Sequence, residues 1–369
     1  MHPTDATTPE KPVHRTRRLA GLAVLCSLVI AACGGGGSDA GTAPAPTPAP
    51  APAPTPPPAA PSYVVRNLFP SAADPAAVTA EDTASDYHVV IPPLAGVAPV
   101  NKLFVFLPGT GGVPNQYQLI LKAGARRGFH AIGLDYPNPA AVGVLCAASR
   151  DPDCFWNLRR EVITGDTSLS ADITVTPPNA IVTRLAKALA YLNQTYPGEG
   201  WGQYLATGGA PEWSKVVMAG HSQGGGHAGV MTKLFALGRA CYFASPPDWN
   251  TATHPTAPNA PATWTSYPNL TPTARQFGFG GLQDPSVPYD RLSAVWQALG
   301  LGAYGAAVSV DSGTAPFAGS HMLTTNAQPA ASSAPGTPLH GLTVRDVFTP
   351  LDAAGQPLFD AAWGYLCFQ

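Results

Sequence analysis

The sequence predicts an α/β fold: a mostly parallel central sheet with helices on both faces and loop insertions at one end. Three observations predict it. From about residue 62 onward short apolar runs alternate with helical repeats, the pattern of a doubly wound sheet. Several of those runs are apolar at nearly every position, as strands buried on both faces must be. A chain of 369 residues, 45% of them hydrophobic, can also fill one large core.

The elements follow in order. Residues 63–67 and 87–91 read as early strands, and Lys102-Leu103-Phe104-Val105-Phe106-Leu107 is the first strongly apolar one. Residues 117–126 read as a helix and 130–134 as a strand. Residues 179–196 form an amphipathic helix, with Ile181, Leu185, Leu189 and Leu192 at helical spacing and Pro197-Gly198 ending it. Next come the apolar strand 214–219 and a helix over 225–235, then a buried strand over 275–280. The helix after it carries Leu292, Val295, Trp296 and Leu299 at i, i+3, i+4 and i+7. Residues 306–310 are expected to form the last strand, and no internal repeat is evident.

The first sixty residues have a different organisation. His14-Arg15-Thr16-Arg17-Arg18 is a positive leader, residues 19–30 a short apolar run, and Ile30-Ala31-Ala32-Cys33 a small-residue cleavage site. About a dozen apolar residues are too few to span a bilayer comfortably. The segment resembles a bacterial lipoprotein signal, which implies lipidation of Cys33 and a membrane anchor. The twin arginines, Arg17-Arg18, leave a twin-arginine export route open, although the rest of that pattern is weak. A Gly-rich joint, Gly34 to Gly37, and an Ala/Pro/Thr tract then form a tether. Gly rather than Asp at position 34 lacks the usual inner-membrane retention signal, so in a Gram-negative cell the expected place is the outer membrane. The expected organisation is thus a signal over 1–32, a lipidated linker over 33–61 and one domain over 62–369.

Composition agrees with export. Charged residues make up only 11%, against about 25% in typical soluble proteins. The formal charge is −2, and no Lys/Arg cluster lies beyond residue 18, which argues against a nucleic-acid partner. Besides Cys33, the exported chain keeps Cys146, Cys154, Cys241 and Cys367. Four cysteines permit three pairings. Cys146 with Cys154, close together in one loop, and Cys241 with Cys367, pinning the C-terminus to the sheet, are favoured over zinc ligation because the spacings match no usual zinc pattern.

The chemistry centres on Gly220-His221-Ser222-Gln223-Gly224. A chain of this composition would show G-x-S-x-G by chance on the order of 0.2 times, so its context decides. It lies between an apolar strand and a small-residue helix, where flanking glycines would let a serine sit at a strained strand-to-helix turn. In that setting the motif resembles the nucleophile elbow of the α/β-hydrolase superfamily, in its lipase and esterase branch. The resemblance implies an α/β-hydrolase fold and a triad in the chain order Ser, acid, His. It also implies an oxyanion hole made by the residue after the nucleophile and a loop following an early strand.

On that pattern Ser222 is the expected nucleophile. Asp284, in Gly281-Leu282-Gln283-Asp284-Pro285 beyond a buried strand, is the expected acid, with Asp248 in reserve. Of the nine histidines only His321 and His340 follow Asp284. His321 is preferred as the base because Gly319-Ser320-His321-Met322 follows the expected last strand, while His340 lies farther from a strand end. Pro108-Gly109-Thr110-Gly111-Gly112 is the expected oxyanion loop, so the N–H donors would be those of Thr110 and Gln223. No metal or organic cofactor is required.

Two insertions, 138–176 and 245–274, are expected near the site. Trp249, Trp264 and Tyr267 in the second either receive an acyl group or pin the loop. The function expected is a membrane-tethered, exported serine hydrolase acting on a small-molecule, lipid or polymer ester. A serine peptidase or amidase on the same fold, and a non-catalytic surface-binding lipoprotein, are the alternatives.

Overall fold

In the computed structural model, residues 61–77, 86–331 and 333–369 are described. The expected signal over 1–32, Cys33 and the linker up to residue 60 lie outside the described residues. The strands, in chain order, are β1 (Arg66–Leu68), β2 (His88–Ile91), β3 (Leu103–Leu107), β4 (His130–Gly133), β5 (Val216–His221), β6 (Arg239–Phe243), β7 (Gln276–Gly281), β8 (Val308–Ser309) and β9 (Met322–Thr325). They form one sheet in the order β1-β2-β4-β3-β5-β6-β7-β9-β8. β2 is antiparallel to β1 and β4, and every other pairing is parallel. This mostly parallel sheet, helix-covered on both faces, is an α/β-hydrolase fold.

The helices are α1 (Pro70–Ala73), α2 (Gln118–Ala125), α3 (Val142–Ala148), α4 (Cys154–Thr164), α5 (Ile181–Thr195), α6 (Gln223–Leu234), α7 (Tyr289–Ala298), α8 (Pro338–Gly341) and α9 (Asp360–Cys367). Successive strand side chains point to opposite faces, so each apolar strand feeds two cores. Leu103, Val105 and Leu107 of β3 join Met218, Leu158, Leu185, Leu189, Met231 and Trp296 under α4 to α7. Phe104 and Phe106 of the same strand join Val217, Phe243, Leu121 and Trp363 under α2 and α9. Each such buried side chain contributes about 1.5–3 kcal/mol, which is why this strand needs apolar residues at every position. Among the described residues no helix is long and apolar enough to cross a membrane.

Two departures from the sequence reading bear on the site. The expected last strand, 306–310, is only the two-residue edge β8, whereas β9 opens immediately after His321 and lies between β7 and β8. The insertions are not open loops around a pocket. The first folds into α3 and α4, and the second packs on it: Tyr267 meets the Trp156 ring edge-on at 5.1 Å, and Thr263 Oγ1 donates to Asp153 at 3.0 Å. Trp264 is fully buried in the core. Aromatic side chains here pin the insertions together.

The cysteines pair as Cys146–Cys154, with Cα atoms 5.5 Å apart, and Cys241–Cys367, at 6.0 Å. The first joins α3 to α4, and the second ties α9 to β6.

Candidate active site

β5 delivers the chain to Ser222, which adopts φ 51°, ψ −117°, and α6 starts at the next residue. A positive φ in a non-glycine residue costs about 1–3 kcal/mol, so the surroundings must hold it. A Cβ on Gly220 would overlap the main chain of Gly224 and Gly225, and one on Gly224 would overlap the carbonyls of Leu107 and Pro108. Only glycine lets the elbow close at both positions. Hydrogen bonds clamp it further: Ser222 N–H donates to the Phe243 carbonyl at 2.9 Å, and Ser245 Oγ donates to the Ser222 carbonyl at 2.6 Å.

From below, Arg159 of α4 donates through Nη1 to the Gln223 carbonyl at 2.9 Å and forms a buried two-pronged pair with Asp248. Asp248 also accepts from Trp264 Nε1 at 2.7 Å. This removes Asp248 from the reserve list for the acid, because its carboxylate is committed to a structural pair beneath the elbow.

The turn after β3 lies against the serine. A Cβ on Gly109 would be 3.3 Å from Ser222 Cβ and 2.9 Å from His221 Nδ1. Asn138 shapes the turn by donating to the carbonyls of Gly109 and Gly112 at 3.0 and 2.9 Å, while Gly111 N–H donates to the Asn138 carbonyl. Thr110 Oγ1 donates to Gln223 Oε1 at 2.9 Å, joining the turn to the start of α6. Among the hydrogen bonds of the described residues, neither Thr110 N–H nor Gln223 N–H has an acceptor. Both donors anticipated from the sequence therefore remain available at the positive end of α6.

Asp284 lies three residues beyond β7. Its Oδ1 accepts N–H donors from Ser286 and Val287 at 2.8 and 3.2 Å, and its Oδ2 accepts from His340 Nδ1 at 2.6 Å. The carboxylate thus selects the tautomer that leaves His340 Nε2 free to take a proton. His340 and Ser222 line one cavity of about 260 Å³ together with Gly109, Thr110, Gly111, Gly112, Tyr117, His221, Thr337 and Arg345.

The structure does not bring His321 to this place. His321 precedes β9 at the start of the strand, where its Nδ1 bonds the Gln276 carbonyl at 2.9 Å. Its ring is stacked between Tyr304 and Phe277 at 3.7 and 4.0 Å. Gln276 opens β7 and Asp284 lies beyond its other end, so six strand residues, about 20 Å of rise, separate the two. His340, not the expected His321, is the histidine that meets Asp284 and shares a cavity with Ser222. The reason is the strand order: with β9 rather than β8 as the last central strand, His340 follows that strand and His321 precedes it.

His221, given no role from the sequence, holds the backbone of His340. Its Nε2 bonds the His340 carbonyl at 3.0 Å, which requires a proton on Nε2 and leaves Nδ1 as the acceptor for Tyr117 O–H at 3.1 Å. Gly109 N–H in turn donates to the Tyr117 oxygen at 3.3 Å. Burial, with the nearby charge of Arg345, holds the His221 pKa well below the ordinary histidine value, so the ring stays neutral and this donor order is kept. A single chain of hydrogen bonds therefore joins the turn after β3 to the backbone of His340. Its sequence signal was a histidine beside the serine, on a strand otherwise apolar. Among the described residues no group of three or more His, Cys, Asp or Glu could hold a metal ion.

No protein-family model matches the chain, and no curated protein matches it. Among solved structures it is similar to esterase 2 of the planctomycete Thermogutta terrifontis, at 16% identity over 66% of this chain and 78% of that one, with a TM-score of 0.33. The phosphorylated form of that esterase, after paraoxon, matches at 15% identity over 71% and 81%, TM-score 0.36. TT1662 from Thermus thermophilus matches at 14% identity over 72% and 87%, TM-score 0.36.

Proposed function

We propose that this chain is a serine hydrolase that cleaves a carboxylic ester through an acyl-enzyme, with Ser222 as nucleophile, His340 as base and Asp284 as its orienting acid. One observation carries the reading: a serine held at positive φ shares a cavity with a histidine whose Nδ1 is bonded to a buried carboxylate. A neutral hydroxyl is a poor nucleophile, so His340 Nε2 takes the Ser222 proton as Oγ attacks the carbonyl carbon. The tetrahedral oxyanion is met by the N–H groups of Thr110 and Gln223, each worth about 3 kcal/mol in the transition state. Collapse expels the alcohol, which leaves with the proton from His340. Water activated by the same histidine then releases the acid and restores Ser222.

The decisive experiment is fluorophosphonate labelling of the purified protein together with ester turnover. Ser222→Ala and His340→Ala should each abolish labelling and lower kcat by about 10⁴-fold or more, whereas His321→Ala should keep the labelled serine. Labelling that survives in His340→Ala but is lost in a folded His321→Ala would overturn the assignment. Parallel turnover of a matched amide separates an esterase from an amidase.

We also propose that the protein is an exported lipoprotein anchored through Cys33. It is supported by the basic leader, the short apolar run and the Ala-Ala-Cys junction. Incorporation of labelled palmitate that is lost in Cys33→Ala is the expected result.

A further inference from the structure

Resting on the hydrolase reading, we infer that the substrate carries an anionic group, a carboxylate, that Arg345 binds in the catalytic cavity. The first observation is the character of the cavity wall. Among the described residues its lining is three glycines and Thr110 of the turn, Tyr117, His221, Ser222, Thr337, His340 and Arg345, with no aliphatic side chain and no tryptophan. A site for a long acyl chain would be lined mainly by apolar side chains. This one offers polar groups and a permanent cation.

The second observation is that no acid among the described residues pairs with Arg345. The carboxylate next to it in sequence, Asp346, is turned to the start of α2, where its oxygens accept Gln118 N–H at 2.8 Å and Leu119 N–H at 3.0 Å. The other carboxylate of the site, Asp284, is occupied by His340 and two main-chain donors. No salt bridge or side-chain hydrogen bond of the Arg345 guanidinium occurs among the described residues, and its Nε is buried without a partner. Buried donors are normally satisfied, and a guanidinium is always charged and presents a planar fork that matches a carboxylate.

The third is that Arg345 is held in place rather than loose. Its main-chain N–H donates to Gly341 at 2.8 Å, its carbonyl accepts from Phe348 and Thr349, and its guanidinium lies 5.4 Å from the Phe348 ring centre. It is four residues beyond Gly341 and five beyond the base, on the same segment. A substrate anchored on Arg345 would thus be positioned by the segment that carries His340.

The test compares kcat/KM within two matched pairs, using the purified full-length protein. Para-nitrophenyl butyrate against para-nitrophenyl hemisuccinate places the carboxylate on the acyl side. Phenyl acetate against para-acetoxybenzoate places it on the alcohol side. We expect the anionic member to be preferred in one pair, that preference to fall about tenfold or more in Arg345→Met, and Arg345→Lys to restore it in part. A ratio that Arg345→Met does not move in either pair would overturn the inference. Should Arg345→Met fail to fold by circular dichroism, the salt response of the natural protein decides. Raising salt from about 20 mM to about 500 mM should weaken turnover of the anionic ester more than of its neutral partner, and equal responses would overturn the inference. Fluorophosphonate labelling of Ser222 keeps the two levels apart: a labelled enzyme with no anion preference loses only the Arg345 proposal, whereas no labelling and no turnover of any ester removes the hydrolase reading as well.

Discussion

At the scale of single residues, Tyr117 is the side chain through which the turn after β3 and the proposed base, His340, are coupled. Its hydroxyl accepts from Gly109 N–H and donates to His221 Nδ1, and His221 holds the carbonyl of His340. Burial pushes the phenol pKa up to about 12, so it stays a donor across the working pH range. Tyr117→Phe leaves His221 Nδ1 buried with no donor, which costs about 1–3 kcal/mol. The expected result is a kcat reduced about tenfold or more with a small change in KM, because the substrate still binds while the base and turn lose their register. An unchanged kcat in the folded variant would show that the chain of bonds is structural only. The places of Ser222 and Asp284 at the site are legible in the sequence because each follows directly from a residue type at the end of an apolar run. His340 was legible only as one of two histidines, since nothing local distinguishes the loop before a four-residue strand from the loop after it.

At the scale of elements, the inserted α4 acts as a buttress for the elbow. Arg159 reaches from it to the Gln223 carbonyl and pairs with Asp248, both side chains being fully buried. Removing one partner of such a pair leaves an uncompensated buried charge and costs about 3–5 kcal/mol. Arg159→Met should therefore lower the urea midpoint by that amount of stability, and Arg159→Met with Asp248→Asn should recover part of it. If the double variant is as unstable as the sum of the two single ones, the pair does not act as a unit. The strands and long helices were readable because burial on two faces or one imposes a periodicity that persists over many residues. Compare β3, apolar throughout, with β9, Met322-Leu323-Thr324-Thr325, where two threonines break the signal although all four residues are buried. Thr325 Oγ1 donates to Asp311 Oδ1 at 2.5 Å, which is how one of these polar strand side chains is accommodated.

At the scale of the whole molecule, buried histidines make stability depend on pH. Burial, helped by the charge of Arg184, holds His88 down to about 3. Burial likewise keeps His221 and His227 well below the ordinary value. Each is neutral in the fold, but in the unfolded chain each takes a proton near pH 6.5. The unfolded state then binds more protons, so stability is complete above about 6.5 and falls as pH drops below it, by up to about 1.4 kcal/mol per unit for each group. Asp346, pushed up to about 6 by burial, works the other way, favouring the fold as pH falls from 6 toward the unfolded value near 4. Three histidines outweigh one acid, so the melting temperature should decline from pH 7 to pH 5. His227, whose ring nitrogens have no partner among the described residues, isolates one contribution: His227→Leu should flatten the decline, and an unaltered slope would remove His227 from this account.

What the sequence by itself determined is whatever local chemistry and short-range periodicity encode. The alternation of strand and helix, the glycines that let Ser222 turn and the Gly-rich turn after β3 all belong there. The tertiary structure alone decided which end of the sheet each loop occupies. His321 and His340 are both histidines in loops after the acid, and they differ in one respect, the insertion of β9 between them beside β7. Strand pairing is a contact between residues far apart in the chain. No local pattern specifies it, so it separated a histidine stacked at the foot of the sheet from one bonded to Asp284 at the top.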